Sequence, residues 1–188
     1  MFADIDHAHP EARGDIINWG SWVQKESGSE GFRFDAIKHI DRGFISEFIQ
    51  KVREDLDNPD LFCVGEVRIP PQTGRPRARP PLTVFARLPV SQFWKDSLDS
   101  LHKYLDDMGD QFSIFDTPLH YNFKEASAAG PNYDLRKIFD GSLVQSRPMD
   151  AVTLVDNHDT QPQQALESWV DPTFKTIAYA LILWRNDG

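Results

Sequence analysis

Acidic residues sit at or just past the ends of four short apolar runs in this chain. Asp35 falls in the run 31–37, Glu66 follows 61–65, Asp116 follows 111–115, and Asp156-Asn157-His158-Asp159 follows 151–155. One acid at the end of one strand says little, because a loop is polar anyway. Acids at the ends of successive strands are different, since they would converge on one mouth and perturb one another's protonation. Arg33 lies two residues before Asp35 and therefore on the same strand face. Two carboxylates across a small gap with an arginine beside them suit hydrolysis of a glycosidic bond: one acid gives a proton to the leaving oxygen while the other, ionised, attacks the sugar carbon. The spacing alone does not single that chemistry out.

The elements that must position these groups alternate. A proline-started helix is expected over about 10–25. The strand 31–37 precedes a helix opened by Asp41, with Phe44, Ile45, Phe48, Ile49 and Val52 on one face. The strand 61–65 comes next, and Leu98, Leu101 and Leu105 mark the helix that follows. A strand over 111–115 leads into a long polar loop and a short helix near 133–139. The strand 151–155 is last, and Asp171-Pro172 opens a final helix with Phe174, Ile177, Ala178, Leu181 and Ile182 turned inward. Four strand-to-helix units in a row imply a parallel sheet, in which chemistry gathers at the C-terminal strand ends.

Composition narrows the function classes. The 188 residues are 40% hydrophobic with 12% aromatics, enough for one domain with a core. A net charge of -9 argues against nucleic acid or an anionic membrane surface as partner. Cys63 is the one cysteine, so no intrachain disulfide forms, and its place in an apolar run suits a small buried strand residue. No apolar run reaches the roughly 18 residues of a membrane span, and Met1-Phe2-Ala3-Asp4-Ile5-Asp6 is no signal peptide, so a cytoplasmic location is expected.

Three short stretches carry a resemblance. GFRFDAIKH (31–39), VGE (64–66) and VDNHDT (155–160) resemble, in order and separation, strand-end motifs of the alpha-amylase family of glycoside hydrolases. The flanks MFADIDHAHPE, FDTPLHYNF and QALESWVDPTFKTIAYALIL are similar to bacterial liquefying and fungal intracellular-type alpha-amylases. The resemblance implies an α/β fold, part of a (β/α)8 TIM barrel covering roughly strands 4 to 7 with their helices. It also implies retaining endo-hydrolysis of alpha-1,4-glucosidic bonds in starch or glycogen, with an alpha-glucan as partner. A full barrel takes about 250 residues, so the remaining strands are absent here. Edges left unpaired make activity of these residues by themselves unexpected. The rival readings are an inactive truncated product and a related alpha-glucan transglycosylase.

Roles follow position by position from the same resemblance. Asp35 is the nucleophile, held ionised by Arg33; Glu66 is the general acid and then base. Asp159 is the third acid, binding sugar hydroxyls and favouring the distorted ring, with His158 beside it. Lys38 and His39 contact sugars on the leaving-group side. A structural calcium is implied, with the Asp4 side chain and the His39 carbonyl as oxygen ligands. Asp6 matches a ligand of a further cation site, but Ala8 stands where that site needs an acid. His7 and His9, a His-x-His preceding a helix, suit capping or surface exposure better than metal binding.

One stretch fits none of this. Residues 67–92 hold six prolines, five arginines and no acid, a composition expected to be disordered. Without them the chain reads LFCVGEFWKDSLDSLHKYL, in which acid, aromatic pair and helix follow directly. Val67 is encoded by a codon beginning GT, Gln92 can be encoded by CAG, and 26 whole codons keep the frame, so a translated intron is expected. The alternative is a genuine loop over the site.

Overall fold

The computed structural model describes residues 5–67, 90–109, 111–164 and 167–185, with side chains of 90–97 left aside. The chain divides into two compact units, Met1–Arg68 with Leu105–Ser113, and Ile69–Tyr104 with Ile114–Gly188.

In the first unit, helix α1 (Pro10–Ser27) begins on a proline and ends at Gly28 in the left-handed conformation. Strand β1 (Gly31–Phe34) is shorter than the run 31–37 suggests. Ala36, at φ 48°, diverts the backbone into a 3-10 turn over Ile37–His39, and the side chain of Ile37 is fully buried. Helix α2 (Arg42–Leu56) is capped by Asp41, whose side chain accepts from the Phe44 amide, and buries Phe44, Ile45, Phe48, Ile49 and Val52 as its spacing predicts. Each of those burials is worth about 2 kcal/mol. Strand β2 (Phe62–Gly65) runs parallel to β1, with Arg33 opposite Val64 and Phe34 opposite Gly65. Gly31 is required there, because a Cβ would lie 2.2 Å from the Phe62 carbonyl oxygen. Cys63 is buried, and burial pushes its thiol pKa up.

Helix α3 (Val90–Met108) buries Leu101, Tyr104, Leu105 and Met108. In the second unit, strand β3 (Ser113–Phe115) leads at once into helix α4 (Thr117–Ala129), where a polar loop is expected from the sequence. Asp116 caps it, Pro118 sits in its first turn, and Leu119, His120, Phe123 and Ala126 are buried at helical spacing. Gly130, at φ 53°, ends it. The region 133–139 holds only a 3-10 turn, Leu135–Lys137, followed by the one-turn helix α5 (Leu143–Ser146). Strand β4 (Ala151–Val152) is two residues long and runs parallel to β3.

Helix α6 (Pro172–Leu183) is capped by Asp171 as expected, but of its apolar residues only Ala178 is buried. Ile177 is 44% exposed, and Leu183 and Trp184 are exposed further. Of the face read inward from its periodicity, Ala178 is buried, Phe174, Leu181 and Ile182 are half-buried, and Ile177 is exposed. Among the described residues no helix is long and apolar enough to cross a membrane.

Candidate active site

The first unit brings Arg33, Asp35 and Glu66 together. The Glu66 amide donates to the Phe34 carbonyl at 2.9 Å, and the Ile37 amide donates back to the Glu66 carbonyl at 3.3 Å. These bonds continue the β1–β2 ladder by one step, so Asp35 and Glu66 leave their strands at the same level. Arg33 then spans both carboxylates: Nη1 lies 3.2 Å from Oδ1 of Asp35 and Nη2 lies 2.6 Å from Oε2 of Glu66. The two acids differ in exposure. The Asp35 side chain is 69% exposed, whereas that of Glu66 is 7% exposed.

Close packing beneath Glu66 fixes its height. A Cβ at Gly65 would fall 2.4 Å from Cδ1 of Ile37 and 2.8 Å from Cε2 of Phe112, so only glycine lets these two side chains close under the site. Val67, first residue of the proline-rich stretch, is buried too. Residues 68–89 of that stretch lie outside the described residues, and α3 already starts at Val90, before the stretch closes at 92. Lys38 and His39 are exposed on the turn that follows Asp35.

Asp159 and His158 stand in the second unit, on a loop that pairs with no strand among the described residues. The Asn157 side-chain oxygen accepts from the amides of Asp159 and Thr160 at 2.9 and 3.1 Å, which folds the loop into an Asx turn. His158 Nε2 lies 3.5 Å from Oδ2 of Asp159, and the His158 side chain is exposed. His158 is thus no core histidine.

Two of the strand-end acids have structural duties. Asp116 is fully buried and accepts from the amides of Leu119, Leu143 and Val144, tying α4 to α5. Burial pushes its carboxyl above the usual range, against those three amide donors. Asp156 is nearly buried and ion-paired to Lys175 of α6.

His120, which sequence reasoning passes over, is a buried hinge of hydrogen bonds. Its Nδ1 lies 2.5 Å from the Val155 carbonyl and its Nε2 lies 2.8 Å from the Ser168 hydroxyl. A carbonyl only accepts, so the proton sits on Nδ1. Burial drives its pKa down. The signal that finds it is its place in the apolar series Leu119, His120, Phe123, Ala126.

For calcium, Asp4 lies outside the described residues, so only the His39 carbonyl of the expected pair is in view. Among the described residues no group of three or more His, Cys, Asp or Glu could hold a metal ion. Asp6 instead accepts from the Ala8 amide at 3.0 Å. His7 packs on Phe44, with ring centroids 4.6 Å apart. His9 stands at the α1 N-cap position with no side-chain cap bond.

No family model matches the chain. All 188 residues align with the glucan 1,4-alpha-maltohexaosidase of Bacillus sp. (strain 707) at 43% identity, spanning 31% of that protein. They align at 39% with the alpha-amylase of Bacillus licheniformis, spanning 31% of it, and at 39% with the cytoplasmic alpha-amylase of Escherichia coli (strain K12), spanning 32%. Among solved structures, an Anoxybacillus alpha-amylase superposes with TM-score 0.59 at 18% identity over 96% of this chain and 32% of its own. The Geobacillus thermoleovorans alpha-amylase, complexed with acarbose, superposes with TM-score 0.55 at 22% identity over 83% of this chain and 29% of its own. The chain matches alpha-amylases over its whole length and spans about a third of theirs, and its α/β arrangement matches part of their barrel.

Proposed function

We propose that these residues form the catalytic segment of an endo-acting, retaining hydrolase of alpha-1,4-glucosidic bonds in starch or glycogen. The observation that carries this reading is the Arg33 bridge between an exposed and a buried carboxylate at two adjacent strand ends. Asp35, open to solvent, attacks the anomeric carbon. Glu66 gives its proton to the glycosidic oxygen, the leaving sugar departs, and a glycosyl ester on Asp35 remains. Glu66 then takes a proton from water as the water attacks the same carbon. Two inversions return the alpha configuration.

Arg33 holds both side chains in place for the two halves of that cycle. Lys38 and His39 meet the leaving-group sugar, and Asp159 with His158 binds ring hydroxyls. Calcium, held by the Asp4 side chain and the His39 carbonyl, would tie the first turn to the chain's start as a hard cation with oxygen ligands. A cytoplasmic location belongs to the same reading.

The test replaces the aligned segment of the Bacillus licheniformis enzyme with this chain, giving a completed barrel, and measures reducing ends released from soluble starch. Release that depends on Asp35 and Glu66 supports the reading; release that survives Asp35→Asn and Glu66→Gln overturns it. A second reading, that the 188 residues by themselves bind glucan without turning it over, is favoured by the exposed aromatic side chains Tyr179 and Trp184 on and beside α6. Reducing ends released by the chain alone would rule it out.

The stretch 67–92 is, on this reading, a translated intron. Sequenced transcripts should join codon 66 to codon 93, and deleting the stretch from the completed barrel should raise activity. Transcripts that all retain it, with a deletion variant less active than its parent, would favour the loop.

A further inference from the structure

Among the described residues no strand pairs with the loop that carries His158 and Asp159, and side chains hold its shape. Within it Asp156, three residues before Asp159, projects a nearly buried carboxylate, 5% exposed. Oδ1 accepts from the Thr160 hydroxyl at 3.1 Å and from the Val170 amide at 3.3 Å. Thr160 Oγ1 in turn accepts from the Asn157 amide at 3.0 Å, and Asn157 closes the turn around Asp159. Oδ2 of Asp156 lies 2.8 Å from Nζ of Lys175, in the first turns of α6. Lys175 is itself confined, since its Nζ sits 3.1 Å from the ring centroid of Trp169.

We infer that Asp156 and Lys175 are a positioning pair that pins the loop bearing Asp159, with Trp169 as the lid over the lysine. The inference rests on the proposed function for the role it gives Asp159. The physical reason lies in the carboxylate's burial. A desolvated carboxylate needs a cation and donors, and here Oδ1 takes the loop's donors while Oδ2, with no hydrogen-bond donor of its own, relies on the charge of Lys175. Removing the lysine leaves a buried charge without its cation, and the carboxylate must turn toward water. Thr160 and Val170 then lose their acceptor, and Asn157 loses the hydroxyl that orients it. Asp156 and Lys175 touch no substrate on this account; they act through Asn157 and Thr160.

The experiment is residue-resolved amide hydrogen exchange on the full 188-residue chain and its Lys175→Met and Lys175→Arg variants. Lys175→Met should speed exchange at Asn157, Asp159, Thr160 and Val170 by tenfold or more, while Leu119 and Phe123 in α4 stay within twofold. Lys175→Arg, which keeps the cation, should recover most of the protection. Equal acceleration at the α4 amides would show a merely structural pair and overturn the inference. So would unprotected loop amides in the parent chain, or unchanged loop amides in Lys175→Met. Exchange reads the pinning without any turnover, so a pinned loop in a chain whose completed barrel cleaves no starch counts against the proposed function alone.

Discussion

The candidate residues of the two units are held by different means. Asp35 and Glu66 leave adjacent parallel strands, and backbone bonds between Glu66, Phe34 and Ile37 set their level before any side chain acts. Asp159 sits on a loop shaped by Asn157, Thr160 and Asp156 side chains. In the proposed function Asp35 and Glu66 act at one carbon and need the stiffer frame, since a misplacement of about 1 Å can lower a rate a hundredfold. A group that binds hydroxyls tolerates a frame made of side chains.

Breaking the first frame at its chemistry has the largest expected effect. In the completed barrel, Asp35→Asn and Glu66→Gln should each lower kcat by roughly three or more powers of ten, because each removes a group acting on the reacting bonds. Activity within tenfold of the parent for either would defeat the assignment. Arg33→Met should lower kcat/KM about a hundredfold, as both carboxylates lose their shared tether. A loss confined to KM would show that Arg33 serves substrate binding instead.

Smaller effects sharpen the contrast. Gly65→Ala forces Ile37 and Phe112 apart beneath Glu66 and should destabilise the protein by about 1–3 kcal/mol, read as a lowered denaturation midpoint. The matching test in the second unit is pH. Burial depresses the His120 pKa below its unfolded value of about 6.5, so the unfolded chain binds more protons between the two values. Stability should therefore be complete above about pH 6.5 and fall as pH drops through that window. His120→Gln should flatten the slope there; an unchanged slope would place the titration elsewhere. Least of all, chelation should lower the melting temperature of the completed barrel by a few degrees, and Asp4→Ala should abolish that response.

What could be read from the sequence depended on how local its cause is. The face of α2 was legible because Asp41 and five apolar residues at helical spacing are all the information it needs, and all five are buried. The same periodicity in α6 reads correctly as a helix but overstates its burial: of the five residues only Ala178 is fully buried and Ile177 is exposed, because burial depends on what packs there. Helix α4 was missed although Asp116 and Pro118 announce it; the polar run between Leu119 and Ala126 hid an apolar stripe that includes a histidine. The Asp35, Glu66 and Arg33 grouping was legible through short motifs at strand ends. The Asp156–Lys175 contact was not, since nothing in the residues between them marks the two as neighbours.

The most direct measurement is mass spectrometry of the completed barrel after reaction with a fluorinated glycosyl fluoride that accumulates the covalent intermediate. The account predicts one added glycosyl unit on the peptide containing Asp35, with alpha-configured products seen by NMR in untreated turnover. A label on another carboxylate, or products of beta configuration, would contradict it.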